Sequence, residues 1–208
     1  MSQIEIQDDK QELIVDAALK RFAHFGPSKT TMNEIADDLR LSKALIYYYF
    51  PDKASLLNAV LEKILNNYFL EIECEANHSK TVEKALYNLI AVRHDFFMKF
   101  FFNMGLNRNF LEGNKNSLDE VAARAIKREK AFVATLLEKA NKTGELSITN
   151  TEEQADLYID LMKGIRFSYV TPGACTPIID EDLLKEINHK TRLMTELFVK
   201  AHKTPTKH

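Results

Sequence analysis

The chain has 208 residues, 45% of them apolar, with a formal net charge of −2 and a pI near 6.3. That length and apolar fraction suit one or two globular cores and exclude a disordered chain. They also leave no broad cationic surface for polyanions or anionic lipid, so any contact with nucleic acid has to be local. Two cysteines, Cys74 and Cys175, stand outside any C-x-x-C pairing. The opening residues show neither a secretory nor a transit pattern, and no run approaches the roughly 18 uncharged apolar residues of a membrane span. A cytoplasmic protein with no membrane partner is expected.

Apolar residues recur at helical spacing, and only six glycines and five prolines interrupt them, which predicts an all-α fold. A first helix is expected from about Lys10 to Phe25, with Ile14, Ala18, Phe22 and Phe25 on one stripe and Gly26-Pro27 closing it. A short second helix follows Thr31 and a third occupies about Ser42 to Tyr49, ended by Pro51. A longer fourth starts after Asp52. Beyond it, helices are expected near 81 to 103, 117 to 142, 151 to 171 and 180 to 202. Thr31-x-x-Glu34, Ser117-x-x-Glu120 and Thr151-x-x-Gln154 have the form of capping boxes, and Asp52, Thr81 and Asp180 that of simple caps. The expected division is a three-helix module over 1–55 and a larger helical module over 56–208, with the boundary inside the fourth helix.

The second helix, the turn Leu39-Arg40-Leu41 and the third helix have the dimensions of a helix-turn-helix, whose second helix enters the DNA major groove. At about 100° per residue from a buried Ile46, Lys43, Ala44, Tyr47 and Tyr48 form an outward arc. Phe50 returns to the core and Tyr49 lies at the edge. Lys43 can donate to a guanine edge or a phosphate, Ala44 leaves room for close approach, and tyrosines bring a hydroxyl for phosphate oxygens and a ring face for sugars. Lys53 and Thr31 stand at helix starts, where N–H groups favour phosphate. The ordinary alternative for such aromatics is partly buried packing with exposed hydroxyl tips.

The stretch "FAHFGPSKTTMNEIADDLRLSKALIYYYFPDKASLL" resembles the DNA-binding domain of TetR-type transcriptional regulators, with a match from about Ile14 to Leu61. The resemblance implies that Thr31, Ser42, Lys43, Ala44, Tyr47, Tyr48, Tyr49 and Lys53 face DNA, while Ile35, Ala36, Leu41, Ile46 and Phe50 form the small core. Arg40 stands where that family usually has a turn glycine, Ala44 where it has a glycine, and Leu45 where it often has a small polar residue, so the operator does not follow by analogy. From Lys10 to Lys53 there are seven Lys and Arg against six Asp and Glu. Recognition therefore depends on geometry, and a homodimer on a palindromic double-stranded operator is the natural arrangement.

In the second module the run "VRHDFFMKFFFNM" makes one helix apolar nearly all round, so it is expected to be central. Core packing is the default for its phenylalanines. A ligand cavity is the sharper alternative, with His94, Phe97, Phe101, Met104 and, further on, Phe167 as candidate lining residues. The TetR resemblance implies a small-molecule effector, here of lipophilic character, and a four-helix dimer interface from the last two helices. Leu157, Leu161, Ile165, Leu193 and Leu197 are its candidates. Cys74 and His78 stand at i, i+4 with no further ligand nearby, and no nucleotide, phosphate, zinc-protease or nucleophile-elbow motif occurs, so no catalytic residue, metal or cofactor is expected. The chain thus reads as a ligand-responsive, homodimeric DNA-binding regulator, most simply a repressor. A helical regulator acting through protein partners without an effector is the alternative, and a helical enzyme a more remote one.

Overall fold

The computed structural model describes residues 3–98, 115–169 and 181–204, with side chains described over 9–96, 118–169 and 181–204. Among these residues eight α-helices follow one another: α1 Gln3–Phe25, α2 Met32–Leu39, α3 Lys43–Tyr49, α4 Lys53–Asn77, α5 Val82–Met98, α6 Lys115–Thr143, α7 Thr151–Phe167 and α8 Glu181–His202. A single 3-10 turn, Pro27–Lys29, joins α1 to α2. The fold is all-α. No helix among the described residues is long and apolar enough to cross a membrane.

Cap chemistry fixes most starts. Thr31 and Glu34 form a reciprocal box at α2. At α4 Asp52 takes the Ser55 N–H at 2.7 Å while the Ser55 hydroxyl oxygen takes the Asp52 N–H at 3.3 Å. Thr81 caps α5 through the Lys84 N–H at 3.2 Å. Two expectations shift. Asn150, one residue before Thr151, caps α7 through the Glu153 N–H, because the helix begins at Thr151 and so puts Asn150 at the N-cap with Glu153 at N3. Ser117 falls inside α6, which already begins at Lys115, so it is no cap. Asp180 lies outside the described residues.

Two compact units divide the chain inside α4, between Asn67 and Tyr68, later along the helix than residue 55. The reason is packing: Leu56, Leu57, Val60 and Leu61 of α4 join Ile14, Ala18 and Phe22 of α1, Ile35 and Ala36 of α2, and Ile46 and Phe50 of α3 in one core. Leu118 and Val121 from the start of α6 pack against it. Ion pairs brace its surface, Arg21 to Asp38 at 2.5 Å between α1 and α2, and Lys63 to Asp16 at 2.6 Å and Glu12 at 3.0 Å between α4 and α1.

Arg40 ends α2 in the left-handed region, at φ 53° and ψ 37°, and is the one non-glycine with positive φ among the described residues. Its N–H and that of Leu41 close the helix onto Asp37 and Ala36 at 3.1 and 2.9 Å. A Cβ costs about 1–2 kcal/mol in this region, while glycine costs about 0.4–1 kcal/mol more entropy in the unfolded chain. Arg40→Gly is therefore expected to stabilise the protein by about 0.5–1 kcal/mol, read as a melting midpoint a few degrees higher. An unchanged or lower midpoint would show that the Arg40 side chain repays its strain within the free protein.

The second unit takes the rest of α4, most of α5, and α6 from Ala122 through α8. Leu86, Leu89 and Ile90 of α5, Val133 and Leu137 of α6, and Tyr158 and Ile159 of α7 are its buried centre. Gly144, at φ 78°, lets the chain leave α6. Asn141 then holds the next segment by bonding both the N–H and the carbonyl of Ile148 at 3.0 and 2.8 Å. Glu145 reaches the first N–H of α5, on Val82, at 2.8 Å.

Candidate nucleic-acid interface

The third helix divides its aromatic run by direction. Ile46 is fully buried and Phe50 is 3% exposed, whereas Tyr47 and Tyr48 are 48% and 68% exposed. Lys43 and Ala44 are exposed beside them. Tyr49 is half-buried, packs against the core and meets Tyr48 edge to face at 5.2 Å. Ser42 is the N-cap, its hydroxyl oxygen taking the Leu45 N–H at 3.2 Å, so α3 is held as a helix at its first turn even though it has only seven residues. An exposed arc of ammonium, methyl and two phenols is thus presented on a firmly packed helix.

At the start of α2 the Thr31 hydroxyl donates to the Glu34 carboxylate at 2.8 Å, and the Thr31 N–H donates to the same carboxylate oxygen at 2.7 Å. These two bonds hold the Glu34 carboxyl below its usual range. Lys53 sits in the first turn of α4, but its ammonium is engaged within the chain, donating to the carbonyls of Pro27 at 3.0 Å and Thr30 at 3.2 Å. Thr31, Ser42, Lys43, Ala44, Tyr47, Tyr48, Tyr49 and Lys53 are therefore all contributed by the first unit, with Lys53 as much a brace as a surface group.

Sequence reasoning missed the strongest polar feature of the second unit. Glu129 of α6 is 3% exposed, and it is paired with Arg93 of α5 and accepts the Tyr68 hydroxyl of α4. Burial would lower the Arg93 guanidinium, but the Glu129 carboxylate and Tyr68 hold it above its ordinary value. Burial, then Glu129, pushes the Tyr68 phenol well up. Arg166 of α7 is driven down to about 10 by burial and then by Arg93, with Glu129 opposing. The signal was available: Tyr68 follows Leu61 and Leu65 at i+7 and i+3, Arg93 follows Leu86 and Leu89, and Glu129 precedes Val133 and Leu137, each on the buried stripe of its helix.

Of the expected cavity residues, His94 is half-buried on α5. Phe97 belongs to α5 with its side chain outside the described set, and Phe101 and Met104 lie outside the described residues. Phe167 is 65% exposed at the end of α7. A cleft of about 110 Å³ lined by Ala76, Lys80, Val82, Leu136, Lys139 and Glu145 is small for an effector, since pockets for such molecules run to about 300 Å³ or more. Cys74 is exposed, its sulfur 3.8 Å from His78 Nδ1, and the described residues hold no group of three or more metal-capable side chains.

Helices α7 and α8 pack together through Tyr158, whose hydroxyl meets Thr195 Oγ1 at 2.7 Å and whose ring meets Phe198 at 5.1 Å. Leu184 and Phe198 are buried on α8. Leu157, Leu161, Leu193 and Leu197 are 47%, 42%, 47% and 69% exposed, with Ile165 half-buried. On α8 the exposed leucines lie roughly half a turn from the Thr195 stripe by helical period, which gives that helix a second apolar face.

Comparison with known proteins converges on one family. Residues 14–60, which span the whole arrangement from Ile14 to Val60, match the family model described as bacterial regulatory proteins, tetR family. The HTH-type transcriptional regulator YuxN of Bacillus subtilis is 34% identical over 95 residues, 42% of this chain and 33% of that protein. The probable acrEF/envCD operon repressor of Escherichia coli K12 is 45% identical over 49 residues, 24% of this chain and 22% of that protein. The chain thus spans a third or less of these curated relatives. Likeness to a solved structure runs further: a transcriptional regulator from Cytophaga hutchinsonii is 31% identical, covers 94% of this chain and 99% of its own, and superposes with a TM-score of 0.79. Helix-turn-helix, core and full-length fold agree, and the chain belongs to the TetR family of transcriptional regulators.

Proposed function

We propose that this regulator is a repressor that binds a palindromic operator as a homodimer and is released by a small lipophilic effector. The observation that carries the DNA reading is the arc of Lys43, Ala44, Tyr47 and Tyr48, exposed on a helix whose other side is locked by Ile46 and Phe50. An α-helix enters a major groove about 12 Å wide when its leading face is slim. Ala44 supplies the slim edge, Lys43 a donor to guanine or phosphate, and Tyr47, Tyr48 and Tyr49 phosphate and sugar contacts, with the Ser42 cap and the α2 start at Thr31 beside the backbone.

One helix-turn-helix reads only a few base pairs, so two copies are needed, with reading helices about 34 Å apart or a multiple of it. The exposed leucines of α7 and α8 supply the dimer contact. The effector is assigned to the apolar interior of the second unit, beside the Arg93, Glu129 and Tyr68 network and His94, since small-molecule sites combine apolar walls with a few fixed polar groups. Release follows if the effector binds the DNA-incompetent form better than the competent one. Purified protein is expected to retard the DNA upstream of its own gene, and a lipophilic compound that raises its melting midpoint is expected to reverse that retardation. Protein that leaves its upstream DNA unretarded contradicts the repressor reading. Retardation that no stabilising compound reverses contradicts the effector reading and favours control through a protein partner.

A further inference from the structure

We propose that Lys53 is a positioning residue of the DNA-binding surface, its ammonium clamping the carbonyls of Pro27 and Thr30 and so fixing the N-terminus of α2 to the first turn of α4. The inference rests on the reading above, in which the start of α2 meets the DNA backbone.

The segment that Lys53 holds has little of its own to fix it. Pro27–Lys29 is one 3-10 turn entered from Gly26 at φ 81°, and its backbone bonds, Lys29 to Gly26 at 3.3 Å and Thr30 to Pro27 at 3.4 Å, are long. Pro27 and Thr30 are buried, and the Thr30 hydroxyl donates to the Gly26 carbonyl at 3.0 Å. The carbonyls of Pro27 and Thr30 point to one place, and the Lys53 Nζ occupies it at 3.0 and 3.2 Å. Charged donors bond carbonyls about twice as strongly as neutral ones, and an ammonium is a compact point donor that fits between two acceptors. Thr31, the α2 cap, directly follows the second clamped carbonyl.

An ammonium has three N–H donors, so the two that hold the Pro27 and Thr30 carbonyls keep the clamp whether or not the third meets a phosphate. Moreover, α4 is the helix that continues from the first unit into the second, so any movement of its first turn is passed directly to Thr31.

The test uses the full chain and the upstream duplex that it protects. In Lys53→Met, affinity for the duplex is expected to fall about tenfold. Amide exchange at Thr30, Thr31 and Met32 should quicken in the free protein, and Lys53→Met combined with Thr31→Ala should cost no more than the larger single effect. Unchanged exchange over those amides, or additive losses in the double variant, would overturn the positioning role. If Lys53→Met does not fold, Lys53→Gln, which keeps one N–H donor without the charge, is read by the same criteria. Wild-type protein that fails to bind the duplex defeats the DNA reading itself, whereas a failure confined to the variants defeats only the clamp.

Discussion

Glu129→Ala is expected to destabilise the protein by about 3–5 kcal/mol, the cost of removing one partner from a buried ion pair. The Arg93 side chain is 15% exposed and Tyr68 is 4% exposed, so neither the guanidinium nor the phenol has much solvent to turn to once the carboxylate is gone. In a chain of this length a loss of that size lowers the melting midpoint by roughly 6–20 °C. The pair is not thereby a net source of stability, because desolvating both ions offsets most of their attraction. The triple change Tyr68→Phe, Arg93→Leu and Glu129→Leu is accordingly expected to recover most of what Glu129→Ala loses. Thermal melting of the two variants decides the matter, and a triple variant less stable than Glu129→Ala would show that the network itself holds α4, α5 and α6 together.

Changing Leu193 and Leu197 to glutamate should convert the protein to monomers that no longer bind operator DNA. A leucine moved from water into an interface contributes about 1.5–3 kcal/mol, and a two-fold axis counts each one twice, so the pair forfeits roughly 6–12 kcal/mol before any charge is buried. That is more than four decades in the dimer constant. Both leucines are exposed in the single chain, and the α8 stripe facing α7 is left intact, so the helical signal should persist. Sedimentation of the variant as a dimer would place the interface elsewhere.

The first unit was legible because local rules agree there. The Thr31 box, the Ser42 cap, the Pro51 stop and the period that buries Ile46 and Phe50 act over a few residues and need no knowledge of distant partners. The start of α1 at Gln3 was not legible, since eight polar or charged residues over Gln3 to Glu12 hide the helical period. The bonds of Lys53 were hidden for a different reason: the helix start is visible locally, but the carbonyls that its ammonium meets belong to a turn formed far earlier in the chain. Glu129 was overlooked because it lies in the charged run KREK, which looks solvated until its register with Val133 and Leu137 is counted. On α7 and α8 the apolar residues were evident, but which of the two apolar faces of α8 packs inside the chain depends on helix rotation, and the Tyr158–Thr195 bond settles that only in three dimensions.

The central claim, that α3 reads DNA through its exposed arc, is tested most directly by Tyr47→Ala and Lys43→Ala measured side by side for operator affinity and melting midpoint. Each variant is expected to lose about 1–3 kcal/mol of operator binding, roughly tenfold to a hundredfold, with the midpoint nearly unchanged because both side chains are exposed. A Tyr47→Ala variant that melts far below the wild type while binding the operator normally once folded would contradict the account and make the tyrosine part of the core.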